Sequence, residues 1–139
     1  MEQKFKRSFD ELQNIVTMTE VLFREEGLPP DLRNVVDLAT EELFVNMVTY
    51  NTETNEDILI QMNPHEYGVE VRLTDYDVER FDPTVVGPID VDAPLDERTP
   101  GGLGLYLVMK MVDSIHYEYR NRQSIITFIV DRKQPDVRD

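Results

Sequence analysis

Glu42 and Asn46 stand one helical turn apart in a segment with helical periodicity. Downstream, Asp75 ends an alternating run through Val69, Val71 and Leu73. Further on, Gly101-Gly102-Leu103-Gly104 opens a strongly apolar stretch, with Arg98 just ahead of it. Each residue type suits one task in handling a nucleoside triphosphate. The Asn46 carbonyl oxygen is a hard ligand of the kind Mg²⁺ prefers. Glu42 projects in nearly the same direction, as a carboxylate able to take a proton from a water or hydroxyl attacking a phosphate. Strict alternation puts Asp75 on the inward face of its strand, where it offers an acceptor to an adenine amine. The glycines allow close backbone approach to phosphates, and the helix start beyond them supplies free N–H groups and partial positive charge. Arg98 adds a cation.

Taken singly, each of these signals also has a plainer reading. Glu42 could be solvated and Asn46 bonded to another helix. Asp75 could simply start a turn, and the glycines could serve tight helix–sheet packing. The glycine run lacks the lysine of a phosphate-binding P-loop and does not follow a strand directly, so neither standard glycine fingerprint fits. The order and spacing of the whole set carry the signal. A buried carboxylate without partners costs several kcal/mol, so acidic and amide groups on inner faces point to a pocket.

The totals narrow the remaining options. A chain of 139 residues predicts one domain, residues 1–139, with room for a real core. With 40% hydrophobic and 30% charged residues it has ordinary globular composition. Cysteine is absent, which excludes disulfides, thiolate metal sites and cysteine nucleophiles. His65 and His116 are far apart in sequence, and no serine–histidine–acid arrangement stands out. A net charge of -14 repels nucleic acid, so phosphate groups must be met by Mg²⁺, backbone N–H groups and local cations. The apolar runs are too short to span a bilayer, and the first residues lack a signal-peptide core. No membrane association and a cytoplasmic location are therefore expected.

These side chains must be positioned by a small set of elements. The pattern predicts a short edge strand over 4–9 and a helix opened by a Ser8–Glu11 capping box and closed by Gly27. A second helix, capped by Asp31, carries an inner stripe of Leu32, Val35, Val36, Ala39, Leu43, Asn46, Met47 and Tyr50. Two strands, 58–62 and 69–73, read as a hairpin. Residues 76–100 have no sustained period and hold Pro83, Pro88, Pro94 and Pro100, which suggests a lid or binding loop. A helix over 103–112 and a hairpin of 115–119 with 124–130 follow, then a charged tail from about 133. This order predicts an α+β fold, a two-layer α/β sandwich with helices on one face of a mixed, mostly antiparallel sheet.

Together these motifs resemble the histidine-kinase-like ATPase superfamily, with its Bergerat ATP-binding fold. The resemblance is strongest to the bacterial serine/threonine kinases that act as anti-sigma factors or switch kinases in partner-switching pathways. Glu41-Glu42-Leu43-Phe44-Val45-Asn46-Met47-Val48-Thr49-Tyr50 is similar to the family's N box. Leu73-Thr74-Asp75-Tyr76-Asp77 stands at its first glycine box, with Phe81-Asp82-Pro83 continuing it. Arg98-Thr99-Pro100-Gly101-Gly102-Leu103-Gly104-Leu105 is similar to the second glycine box. The resemblance implies that Glu42 is the general base, that Asn46 binds Mg²⁺ and that Asp75 holds the adenine of ATP. It places Arg98, Gly101, Gly102, Leu103 and Gly104 about the phosphates, under a lid of residues 78–99. It further implies phosphorylation of an anti-sigma-factor antagonist protein, a sigma factor as a second partner, and a homodimer.

Asp77 departs from that pattern, because the family's first glycine box reads Asp-x-Gly. Glycine serves where a side chain would crowd a ligand or where unusual torsions are required. Two like charges about 6 Å apart cost roughly 3 kcal/mol at an effective dielectric constant near 20. An Asp77 carboxylate facing a polyphosphate would then weaken binding on the order of a hundredfold. Facing solvent instead, it would cost far less.

Overall fold

The computed structural model describes residues 1–66, 68–80 and 102–131. Among them, strands β1 (Glu2–Phe5), β2 (Ile58–His65), β3 (Gly68–Tyr76), β4 (Ser114–Arg120) and β5 (Gln123–Asp131) form one sheet in the order β1-β2-β3-β5-β4. All four pairings are antiparallel. Helices α1 (Leu12–Glu26), α2 (Arg33–Tyr50) and α3 (Gly102–Met111) form the second layer, giving the expected α+β sandwich. Arg98, Gly101, most of the expected lid and the charged tail lie outside the described residues.

Alternation along the strands directs one face of the sheet towards the helices. Val71 lies opposite Met62 and Phe128, and Leu73 opposite Ile60 and Ile126. All six are buried, and they share one core with Leu22 of α1, Leu43 and Phe44 of α2, and Val108 of α3. Phe5 anchors β1 to this core through an edge-to-face contact with Phe44, ring centroids 6.4 Å apart. Continuing the same column one step past Leu73 brings Asp75 opposite Ser124, both buried. A carboxylate thus sits at the end of an otherwise apolar row.

The first hairpin runs further than expected, with 63–65 and 74–76 continuing its strands, and both helix starts differ for a local reason. β1 ends at Phe5 because Glu11 accepts a hydrogen bond from the Lys6 N–H (2.9 Å) and the Ser8 N–H donates to the Lys6 carbonyl (2.8 Å). Ser8 Oγ accepts from the Asp10 N–H and caps a 3₁₀ turn, Phe9–Glu11, which α1 follows. The reciprocal capping box does not form, because Glu11 accepts from Lys6 and the Ser8 N–H donates to the Lys6 carbonyl. Asp31 does not cap α2. Pro30, with its torsion fixed near helical values, begins a 3₁₀ turn over Pro30–Leu32, and this places Asp31 inside the turn. α1 ends as expected, with Gly27 at φ 60°.

Candidate functional site

α2 presents Glu42 and Asn46 from the helix that also buries Leu43, Phe44 and Met47. These apolar neighbours fix its rotation, so the two polar side chains leave the helix from fixed backbone positions one turn apart. Asn46 is 6% exposed, and neither side chain makes a hydrogen bond or ion pair among the described residues. The Asn46 amide is not among the fully enclosed polar atoms that lack a partner, so it keeps access to solvent and is open to a ligand. Glu42 turns towards α3. A Cβ added to Gly104 would overlap Glu42 Oε2 and lie 2.7 Å from Cδ. Gly104 is therefore glycine because the Glu42 carboxylate occupies that space, against the first turn of α3. Gly102 and Leu103 contribute backbone to the same turn, where helix N–H groups lack helical partners. Neighbouring Glu41 feels this arrangement: burial, then the charges of Asp37 and Glu42, push its pKa up.

Asp75 lies at the other end of the site with no exposed surface. Its Oδ1 accepts from Arg7 Nη1 (2.5 Å), and its Oδ2 accepts from Arg7 Nη2 (3.2 Å) and Asn51 Nδ2 (2.6 Å). Arg7 Nη2 also donates to the carbonyls of Met47 and Asn51, both at 2.9 Å, and Nη1 reaches the Glu56 carbonyl at 3.3 Å. The guanidinium thus ties β3 to the end of α2 and to the loop beyond it. The last carbonyls of a helix carry partial negative charge, which favours a cation there.

Asp77 follows on the same strand exit. Its backbone is left-handed, φ 57°, the region where glycine is favoured and aspartate is among the better-tolerated alternatives. Its carboxylate faces solvent and accepts from Arg122 Nε at 2.9 Å, with side-chain exposures of 62% and 53%. Asp77 also raises the Arg122 pKa, first through that hydrogen bond. The next residues are pinned by three further bonds. The Val78 N–H donates to the Arg122 carbonyl (3.0 Å), Tyr119 Oη donates to the Val78 carbonyl (2.7 Å), and the Glu79 N–H donates to Glu53 Oε1 (2.8 Å). The Glu79 N–H also holds the Glu53 pKa below its ordinary value.

The structure therefore brings Glu42 to the first turn of α3 at Gly104, buries Asn46 one turn further along α2, and ties Asp75 to the end of α2 through Asn51. Arg98 and Gly101 fall outside the described residues. Arg7, Asn51 and Arg122 are the residues sequence reasoning missed. A wholly inward carboxylate at Asp75 called for a cation, but nothing local in the sequence points to a partner 68 positions earlier. Among the described residues no cluster of three or more His, Cys, Asp or Glu side chains could hold a metal ion. Nor is any described helix long and apolar enough to cross a membrane.

No curated protein matches the sequence. The solved structure of the RsbU and RsbW domains of Rv1364c from Mycobacterium tuberculosis is similar, with a TM-score of 0.66 at 12% sequence identity. The match covers 97% of this chain but 33% of that one, and at such identity it speaks for the fold alone. The family model described as the histidine kinase-like ATPase domain matches residues 5–130, from the end of β1 to the end of β5. Sheet order, the inward Asp75 and the Glu42–Gly104 contact all fall within that span, and the chain belongs to the histidine kinase-like ATPase domain family.

Proposed function

We propose that this protein is an ATP-dependent serine/threonine-protein kinase of a partner-switching pathway, acting as an anti-sigma factor or switch kinase on an anti-sigma-factor antagonist. The observation that carries this reading is the pair on α2. Both project from a packed helix one turn apart and make no hydrogen bond or ion pair among the described residues, and the Glu42 carboxylate lies against Gly104 in the first turn of α3. In this reading Asn46 Oδ1 is the protein ligand of Mg²⁺. Asn46 would hold the ion through a hard carbonyl oxygen, the ligand type that Mg²⁺ takes. The ion, when bound, neutralises phosphate charge during transfer.

Glu42 Oε takes the proton from the acceptor hydroxyl as that oxygen bonds to the γ-phosphorus and the bond to the ADP oxygen breaks. Backbone N–H groups of Gly102, Leu103 and Gly104 receive phosphate oxygens, with Gly101 and Arg98 assigned to the same task. Asp75 is the acceptor for the adenine amine. A homodimer and a sigma factor as second partner belong to the same proposal, as does a cytoplasmic location. The test is transfer of labelled γ-phosphate from MgATP to antagonist domains encoded in the same genome. No transfer to any of them, together with no MgATP binding in a titration, rejects the kinase reading.

A second reading is favoured by the state of Asp75. With both its oxygens engaged by Arg7 and Asn51, the domain would act by binding protein partners without phosphotransfer. Thermal unfolding with and without MgATP separates the two. A ligand at 100 times its Kd adds about 2.7 kcal/mol of stability, and a non-binding module shows no shift.

A further inference from the structure

Arg7 lies in the turn between β1 and α1, away from every motif of the site, yet its guanidinium is directed at Asp75. Five acceptors converge on its two terminal nitrogens: both Asp75 oxygens and the carbonyls of Met47, Asn51 and Glu56. These acceptors come from α2, the loop after it and β3, so the site is built for a planar cation. The Arg7 side chain is 10% exposed and Asp75 is fully enclosed.

A carboxylate has about four lone-pair positions, and three are taken here. An exocyclic amine needs one of them with a clear approach, and Asp75 has no exposed surface while Arg7 and Asn51 are bonded to it. The amine is also a weaker partner, because a neutral N–H offers no compensating charge to the buried carboxylate. Two features let Arg7 leave without unfolding the domain. β1 is a four-residue edge strand paired only with β2, and the turn beyond it is held by the Glu11–Lys6 and Ser8–Lys6 bonds. Those bonds do not involve the guanidinium.

We propose that Arg7 is a resident competitor for the base-anchoring end of the nucleotide site, and that a purine nucleotide reaches Asp75 by displacing it. The Arg7 side chain is then a latch whose position reports nucleotide occupancy. This rests on the reading of Asp75 as the adenine acceptor. Apparent affinity is proportional to the fraction of molecules with the latch open, so weakening the latch raises it.

The experiment compares MgATP with Mg-tripolyphosphate, which lacks the base, by titration calorimetry on the full chain and on Arg7→Lys and Arg7→Gln. Lysine keeps the charge but loses the fork and several of its bonds. The expected result is that both variants bind MgATP about tenfold tighter or better, while tripolyphosphate affinity stays as in the wild type. MgATP binding with unchanged Kd in both variants overturns the latch and leaves the nucleotide reading standing. No binding of either probe to any form overturns the nucleotide reading and the latch with it. If both variants fail to fold, the wild type decides through its arginine side-chain NMR spectrum. The Arg7 Nε–H resonance must move on saturation with MgATP, and a resonance that stays in place overturns the proposal.

Discussion

Replacing Gly104 with alanine separates stability from chemistry at the centre of the site. The added Cβ would lie 2.7 Å from Glu42 Cδ, whereas ordinary contact begins at 3.4 Å. The carboxylate must therefore retreat by at least about 0.7 Å, and by more at Oε2, which the new carbon overlaps. Glu42 is the far end of a flexible, partly exposed side chain, so rotation of its torsions can supply that movement at a cost of about 1 kcal/mol. Against this, alanine in a helix is favoured over glycine by about 1 kcal/mol. The two terms nearly cancel, and urea unfolding of Gly104→Ala should give a stability within about 1 kcal/mol of the wild type. Catalysis has no such compensation. A catalytic group misplaced by about 1 Å loses on the order of a hundredfold in rate, about 2.7 kcal/mol of barrier. The assay is single-turnover transfer of labelled γ-phosphate to the antagonist at saturating MgATP. A wild-type rate in Gly104→Ala would refute the role given to Glu42, and a stability loss above about 3 kcal/mol would show that the carboxylate cannot move aside.

Three further outcomes are expected. Asn46→Ala should abolish the MgATP-dependent rise in Tm while changing the stability of the ligand-free protein by no more than about 1 kcal/mol, because its amide has no partner to lose. Asp77→Gly should bind MgATP with an affinity within about threefold of the wild type, since the carboxylate already faces solvent beside Arg122; a hundredfold gain in calorimetry would show that it faces the phosphates. Glu53 has a folded pKa below its ordinary 4.5, first because of the Glu79 N–H, so its contribution is complete above that value and lost as pH falls through the depressed one. Glu53→Gln should therefore be less stable than the wild type at pH 7, with the gap closing under acid; equal stabilities at pH 7 would contradict this.

Features carried by local pattern were legible in the sequence. Val69, Val71 and Leu73 set a period of two that puts Asp75 inward, and it is fully buried. The apolar stripe of α2 brings Glu42 and Asn46 to the helix layer that meets α3. Features that depend on distant partners or backbone torsions were hidden. Asp77 adopts the left-handed torsion that glycine would advertise, but aspartate conceals it in sequence. Its charge reads as a threat to a polyphosphate until Arg122, 45 residues later, is seen to take it up. Arg7 reads as one more basic residue near an edge strand, because long-range ion pairs leave no trace in periodicity. Asp31 misled because a proline beside it set the helical turn first.

Asn121 and Arg122 both have left-handed backbones, φ 52° and 59°, and make the two-residue turn between β4 and β5. Asparagine followed by glycine is the pairing that such a turn favours most. Glycine at 122 would tighten the hairpin, yet it would delete the side chain that grips Asp77 beside the backbone bond to Val78. The turn has thus kept a poorer bend-former in exchange for reach. One turn residue thereby fixes both the side chain of residue 77 and the backbone of residue 78. For protein engineers, a substitution here that raises Tm would be a warning sign, because it would release Asp77 from the hairpin that holds it.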